Sequence, residues 1–426
     1  MREARRRRIL LAGLCASQVV SWGVLYYAFP AVSATVAADT GWSLGAVTTA
    51  FSVGLVLSAI AGVPVGRLLD RVGARSVMTA GTLGGALGLV AVALAPTLPW
   101  LAAAWCLTGI AQSATLYQAA FTVINRTSGP HRARGVMVLT LAAGLASTVF
   151  APLAAALTAA AGWRTALVVL AGILVVTVTP IHLLLVPARW PDAPAPVSGA
   201  VAAGRVRDIV RSAPFVRAQA GMTLLTLALY AATLTLVPLL LTQGYDMATA
   251  VVAFGLVGVG QVAGRIVFAA RSWSPRGAGL VVAATTVVAL VALALLPRPF
   301  PALVAVVLLA GAVRGALTLV QASTVVDRWG TERLGQLSGV FAVPITGATA
   351  VAPALGAWLL TSVGGTTGTL LLAGLAAVGL AVTAIVPGDV PGAAPGDAAG
   401  AAPAASTGAA PDAAPAARAP LRPDVR

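Results

Sequence analysis

Residues 66–75 read Gly66-Arg67-Leu68-Leu69-Asp70-Arg71-Val72-Gly73-Ala74-Arg75. Gly66 and Gly73 permit a tight turn, and Asp70 can pair with arginines across it or cap the helix that follows. Apolar runs lie on both sides, at 44–65 and 77–95. Each is long enough to cross a ~30 Å hydrocarbon core as a helix. A short charged turn between two such runs is the pattern of a chain that leaves a bilayer and re-enters it.

Outward from this turn the pattern repeats. Further runs lie at 9–37, 98–123, 135–161 and 165–186, and a second set at 218–241, 248–270, 278–296, 301–326, 337–360 and 368–386. The reading is an all-α membrane protein of twelve transmembrane helices in two six-helix, pseudo-symmetric bundles. It divides into residues 1–187, a linker at 188–217, residues 218–386 and an Ala/Pro/Gly tail at 387–426 that reads as disordered. Of 426 residues, 59% are hydrophobic and 9% charged, with mean hydropathy +0.94. Soluble domains run near a quarter charged, so the solvent for this surface is lipid.

The net charge of +15 belongs to arginines in the gaps between runs, because the chain has no lysine. Arg2, Arg5–Arg8, Arg67, Arg71, Arg75, Arg126, Arg132, Arg134, Arg271, Arg276, Arg328 and Arg333 fill alternate loops, and Arg189 to Arg217 fill the linker. The opposite loops offer only Arg164 and Arg298. The positive-inside rule puts both termini and the linker in the cytoplasm of an inner-membrane protein. Nucleic-acid binding is set aside, since these charges trace a membrane face rather than a groove. A cleaved signal peptide is the competing reading of the N-terminus, but its apolar stretch exceeds an ordinary signal and completes an even count.

Cys15 and Cys106 sit in separate runs, and His131 and His182 are far apart. They imply neither disulfide nor metal, and no cofactor motif is present. The spans hold no clustered acids, bases or nucleophiles, which counts against an enzyme. A receptor would carry a folded soluble module, for which linker and tail are too short. The expected partners are the bilayer and a small-molecule substrate, with no obligate protein partner.

The turn resembles the major facilitator superfamily signature G-x-x-x-D-R-x-G-x-R between helices two and three, matched at Gly66, Asp70, Arg71, Gly73 and Arg75. The resemblance implies secondary transport by alternating access, with this motif as a cytoplasmic latch between halves. The second copy, after the eighth run, keeps Gly264, Arg265 and Arg271 but no acid. Tyr26-Tyr27-Ala28-Phe29-Pro30, Gly41-Trp42 and Gly162-Trp163-Arg164 are similar to the monocarboxylate and oxalate/formate branch. That similarity implies a small organic anion as substrate and gives Arg265 the place of an anion-binding arginine. Ala31 and Gln261 stand where animal members of the branch carry lysine and an acid.

Arg314 lies near the middle of the tenth run, where a guanidinium costs ~2.5–3.5 kcal/mol and cannot shed its proton. Thr318 and Gln321 follow at i+4 and i+7, on the same helical face. Setting Gly109 over Gly311 places Gln112 over Arg314, and Thr108, Gln112 and Thr115 make a matching stripe. Two such stripes on paired helices suit a hydrated central cavity at a repeat interface. The competing role for Arg314 is structural, bonded to backbone carbonyls or Asp327. Expected substrate contacts are Arg314, Arg265, Gln112, Gln261, Gln321, Thr318 and Tyr26. No Asp or Glu falls within a span, so the coupling expected is anion exchange or facilitated movement. An exporter of amphipathic compounds is the alternative. It would need inward-facing Trp and Phe and a strong Gly/Pro motif in the fifth run, which keeps only Gly144 and Pro152.

Overall fold

A chain this apolar must satisfy its backbone hydrogen bonds internally, and within one segment only a helix does so. The computed structural model describes residues 2–128, 132–188, 203–271, 273–295, 300–329 and 334–385, which belong to one compact unit spanning Met1–Val390. The helices are α1 (Arg2–Trp22), a π-helical turn (Gly23–Tyr27), α2 (Ala28–Thr40), α3 (Leu44–Val72), α4 (Ala74–Ala93), α5 (Leu98–Thr115), α6 (Tyr117–Thr127), α7 (Arg132–Ala143) and α8 (Ala146–Leu185). A second series follows as α9 (Ala203–Arg211), α10 (Ala213–Leu234), α11 (Leu236–Thr242), α12 (Met247–Ala269), α13 (Pro275–Leu295), α14 (Phe300–Trp329), α15 (Leu334–Val363) and α16 (Gly365–Ala384). The expected linker, 188–217, falls on 189–202, on α9 and on the first residues of α10, and the expected tail, 387–426, within 386–426. Both stretches, 189–202 and 386–426, lie outside the described residues.

Among the described residues, ten helices are long and apolar enough to cross a membrane. One of them, Arg134–Leu185, has 52 residues and would measure ~78 Å if straight, more than twice a hydrocarbon core. It turns at Gly162, whose φ of 79° is a left-handed value that favours glycine. Beyond the turn, Trp163 Nε1 donates to Asp39 at 2.8 Å and Arg164 forms an ion pair with the same carboxylate at 2.7 Å. At the far end, Arg75 Nε donates to the Val186 carbonyl at 2.8 Å. The helix therefore crosses and returns. With α5 and α6 as a further broken crossing, the described residues make the twelve passes expected.

Along the spans many large apolar side chains face outward: Val176 is 74% exposed and Leu184 78%. Such a surface is stable only in lipid. Inside, small residues set the spacing. A Cβ on Gly109 would overlap the Gly54 carbonyl where α5 crosses α3. One on Gly311 would overlap the Val257 carbonyl where α14 crosses α12. The two glycines superposed by the internal repeat thus do the same work in each half. The halves meet where α3 packs along α15 and α8 along α12. The Ala354 N–H donates to Ser52 Oγ at 3.1 Å, and Thr148 Oγ1 donates to the Gly255 carbonyl at 2.8 Å.

Among the described residues, four crossings are interrupted in mid-course: at the π turn, at Leu116, at Gly144–Leu145 and at Thr235. Each break frees backbone groups, tolerated at membrane depth only where protein or water meets them. In the π turn the Ala28 N–H bonds to the Gly23 carbonyl, five residues back. The corresponding donor for Leu25 would be Pro30, which has no N–H. Gln112 Nε2 supplies the bond instead, at 2.8 Å. At Leu116 the backbone is extended and the Ala119 N–H turns to the Leu116 carbonyl. The bypassed Thr115 carbonyl accepts from Gln18 Nε2 at 2.8 Å.

A candidate central binding cavity

The interrupted helices surround two abutting cavities of ≈ 560 and ≈ 440 Å³, which share Trp22, Tyr26, Tyr117, Gln321 and Thr349 in their walls. The first half contributes α1, the π turn, α6 and α7; the second contributes α10, α12, α14 and α15. Contacts between halves made by Ser52 and Thr148 lie toward the Asp39 end. The larger cavity extends the other way, to Val136, Val325 and Ser338 near the ends that carry the basic loops.

Arg314 is 1% exposed and lines the larger cavity. Its guanidinium carbon stands 3.9 Å from the ring centre of Tyr230 and 5.7 Å from that of Tyr27. Nη1 donates to Thr233 Oγ1 at 3.2 Å and Nη2 to the Tyr27 hydroxyl at 3.5 Å, while Nε has no partner. The partners of Arg314 among the described residues are hydroxyls and ring faces, with no bond to a carbonyl or to Asp327. Arg265 lines the same cavity, its Nε donating to Thr318 Oγ1 at 3.3 Å and its Nη1 to the Thr140 carbonyl across the halves. Among the described residues no carboxylate lines either cavity.

Six of the seven expected contacts, Arg314, Arg265, Gln261, Gln321, Thr318 and Tyr26, line the larger cavity. Gln112 lines the smaller one, with its amide committed to Leu25. Thr318 donates to the Gly315 carbonyl at 2.7 Å and receives Arg265, so its hydroxyl positions that arginine. Gln261 Nε2 and the Tyr26 hydroxyl are buried without a partner. The sequence reading missed Trp22, Tyr27, Tyr117, Tyr230, Thr140 and Thr233. Four of the chain's five tyrosines face this one cavity, a concentration the internal repeat does not reveal, since it superposes none of them.

The signature residues lie away from the cavities. Gly73 adopts φ 95° between α3 and α4, and Arg75 bonds Val186 within the first half. Gly66 and Arg71 occupy the end of α3. Asp70 lies in the same turn of helix, its side chain outside the described residues. No metal-ligating group of His, Cys, Asp and Glu occurs among the described residues.

Residues 14–343 match the Major Facilitator Superfamily. The chain belongs to that family. It is therefore a secondary transporter rather than an enzyme, and the twelve-pass fold around a central cavity is the family's own. Solved structures agree on the fold. An inward-facing, occupied bacterial homologue of the human lysosomal transporter Spinster is 14% identical, with 88% of this chain and 96% of that one covered at a TM-score of 0.69. An alanine variant of the nucleoside transporter NupG is 13% identical, with 88% and 98% covered at 0.72. The inward-facing, unoccupied Spinster homologue is 15% identical, with 89% and 95% covered at 0.64. No curated protein matches the sequence.

Proposed function

We propose that this facilitator carries an organic anion, of the monocarboxylate-like kind, by alternating access across the inner membrane, with basic loops and termini in the cytoplasm. The supporting observation is Arg314: a permanent charge, buried at the wall of a large cavity, with hydroxyl and ring partners and no carboxylate to neutralise it. A carboxylate bonds a guanidinium through two parallel, charge-assisted hydrogen bonds. Arg265 offers a second cation beside it, and Gln261, Gln321 and Tyr26 offer neutral contacts. An empty carrier reorienting with two uncompensated guanidinia is disfavoured, and a loaded one is not, which makes exchange of one anion for another the natural mode. The motif at Gly66, Asp70, Arg71, Gly73 and Arg75 serves as the latch on the basic side.

An exporter of amphipathic compounds is the second reading, favoured by the aromatic side chains facing the cavity. Counterflow in liposomes separates the two. Radiolabelled carboxylate is expected to accumulate against a preloaded carboxylate, and Arg314→Gln to slow it about 10- to 100-fold, the worth of one charge-assisted bidentate contact. Counterflow that is indifferent to Arg314, or equal for cationic amphipaths, rejects the anion reading.

A further inference from the structure

The cavity divides its chemistry between the halves. Both guanidinia come from the second half, on α12 and α14. Most of the aromatic surface comes from the first half. The Trp22 and Tyr117 rings are 4.7 Å apart, and Tyr117 and Phe121 lie 5.1 Å apart with planes 7° from parallel. Trp22 and Tyr26 meet edge to face at 5.2 Å, and Tyr26 meets Tyr27 likewise at 5.0 Å. A volume of ≈ 560 Å³ lies in the range of pockets that enclose drug-sized ligands. A carboxylate of two or three carbons would leave most of it to water and touch few of these rings.

We infer that the anion carried is an aryl carboxylate, its carboxylate held by Arg314 on the second half and its planar ring packed against Trp22, Tyr26, Tyr117 and Phe121 on the first. This rests on the organic-anion reading and narrows it. A flat ring fits beside parallel aromatic side chains, and each aromatic pair adds about 0.5–1.5 kcal/mol beyond the area it buries, or roughly two- to tenfold in affinity. A saturated ring of the same carbon count buries similar area and lacks that term.

Thermal-shift titration of the purified full-length protein tests this with benzoate, cyclohexanecarboxylate, acetate, benzamide and benzylamine as probes. Benzoate is expected to bind at least two- to tenfold more tightly than cyclohexanecarboxylate, acetate more weakly still, and benzylamine not at all. Tyr117→Leu should erase the benzoate preference while leaving dependence on Arg314, and Tyr117→Phe should keep both. If cyclohexanecarboxylate or acetate matches benzoate and all three still require Arg314, the aryl inference falls and the anion reading stands. If benzamide or benzylamine matches benzoate and Arg314→Gln changes nothing, the anion reading falls with it. A protein that no probe stabilises overturns the aryl assignment.

Discussion

Arg314 sits under stress of a particular kind. Its charge is fully removed from solvent, its Nε lacks a partner, and its other bonds go to neutral hydroxyls at 3.2 and 3.5 Å. A buried ion costs several kcal/mol of desolvation, which neutral hydroxyls repay poorly, so removing it relieves that cost. Arg314→Gln is therefore expected to leave the melting temperature of the empty protein unchanged or raised, while abolishing the shift produced by a carboxylate. A marked fall in the empty protein's stability would instead assign Arg314 to the framework. Arg314→Lys keeps the charge but loses the planar fork and the stacking on Tyr230, so it should bind about tenfold more weakly and not recover wild-type uptake. The depth of this arginine was legible in the sequence, because it falls near the middle of an apolar run long enough to span a bilayer. Tyr230 and Thr233 were not legible, since a tyrosine or threonine in a membrane helix carries no mark of whether it faces lipid, a neighbour or a cavity.

The helices carry a different lesson. Gln112 was read as a substrate contact from its place over Arg314, yet its amide completes the backbone of the π turn, where Pro30 has no donor to give Leu25. Gln112→Leu should then cost ~1–3 kcal/mol, the desolvation penalty of an orphaned buried carbonyl. It should lower the melting temperature of the empty protein, the opposite of the Arg314→Gln result. Glycines sort in the same way. Gly264 faces the Ala312 backbone with no room for a Cβ, whereas Gly172 faces open space on the lipid side. Gly264→Leu is expected to destabilise by ~1–3 kcal/mol or more through overpacking, and Gly172→Ala to stabilise by up to ~1 kcal/mol as a better helix former. Denaturant or thermal melts in one detergent check both. Apolar length and loop charge made the passes and the turn at Gly162 readable. The break at Leu116 was not, because neither glycine nor proline stands there and the distortion exists only in company with Gln18.

At the scale of the molecule, the halves touch through Ser52, Thr148 and Thr140, and the larger cavity between them reaches toward the basic loops. Thr148→Val removes the bond to the Gly255 carbonyl, worth about 0.5–1.5 kcal/mol, and with it part of what favours this arrangement. The population open on the Asp39 side should rise about two- to tenfold, read as faster labelling of a cavity cysteine by an impermeant thiol reagent from that side. No change would mean that packing of α8 on α12 alone sets the balance. The split of recognition between halves has an evolutionary corollary. On the proposed reading, with both guanidinia in the second half and most of the ring-lined wall in the first, a lineage can remodel the shape it accepts through one half without renegotiating the charge demanded by the other. On that reading neither half alone forms a complete receptor, and selectivity would be checked afresh each time the two come together around a guest.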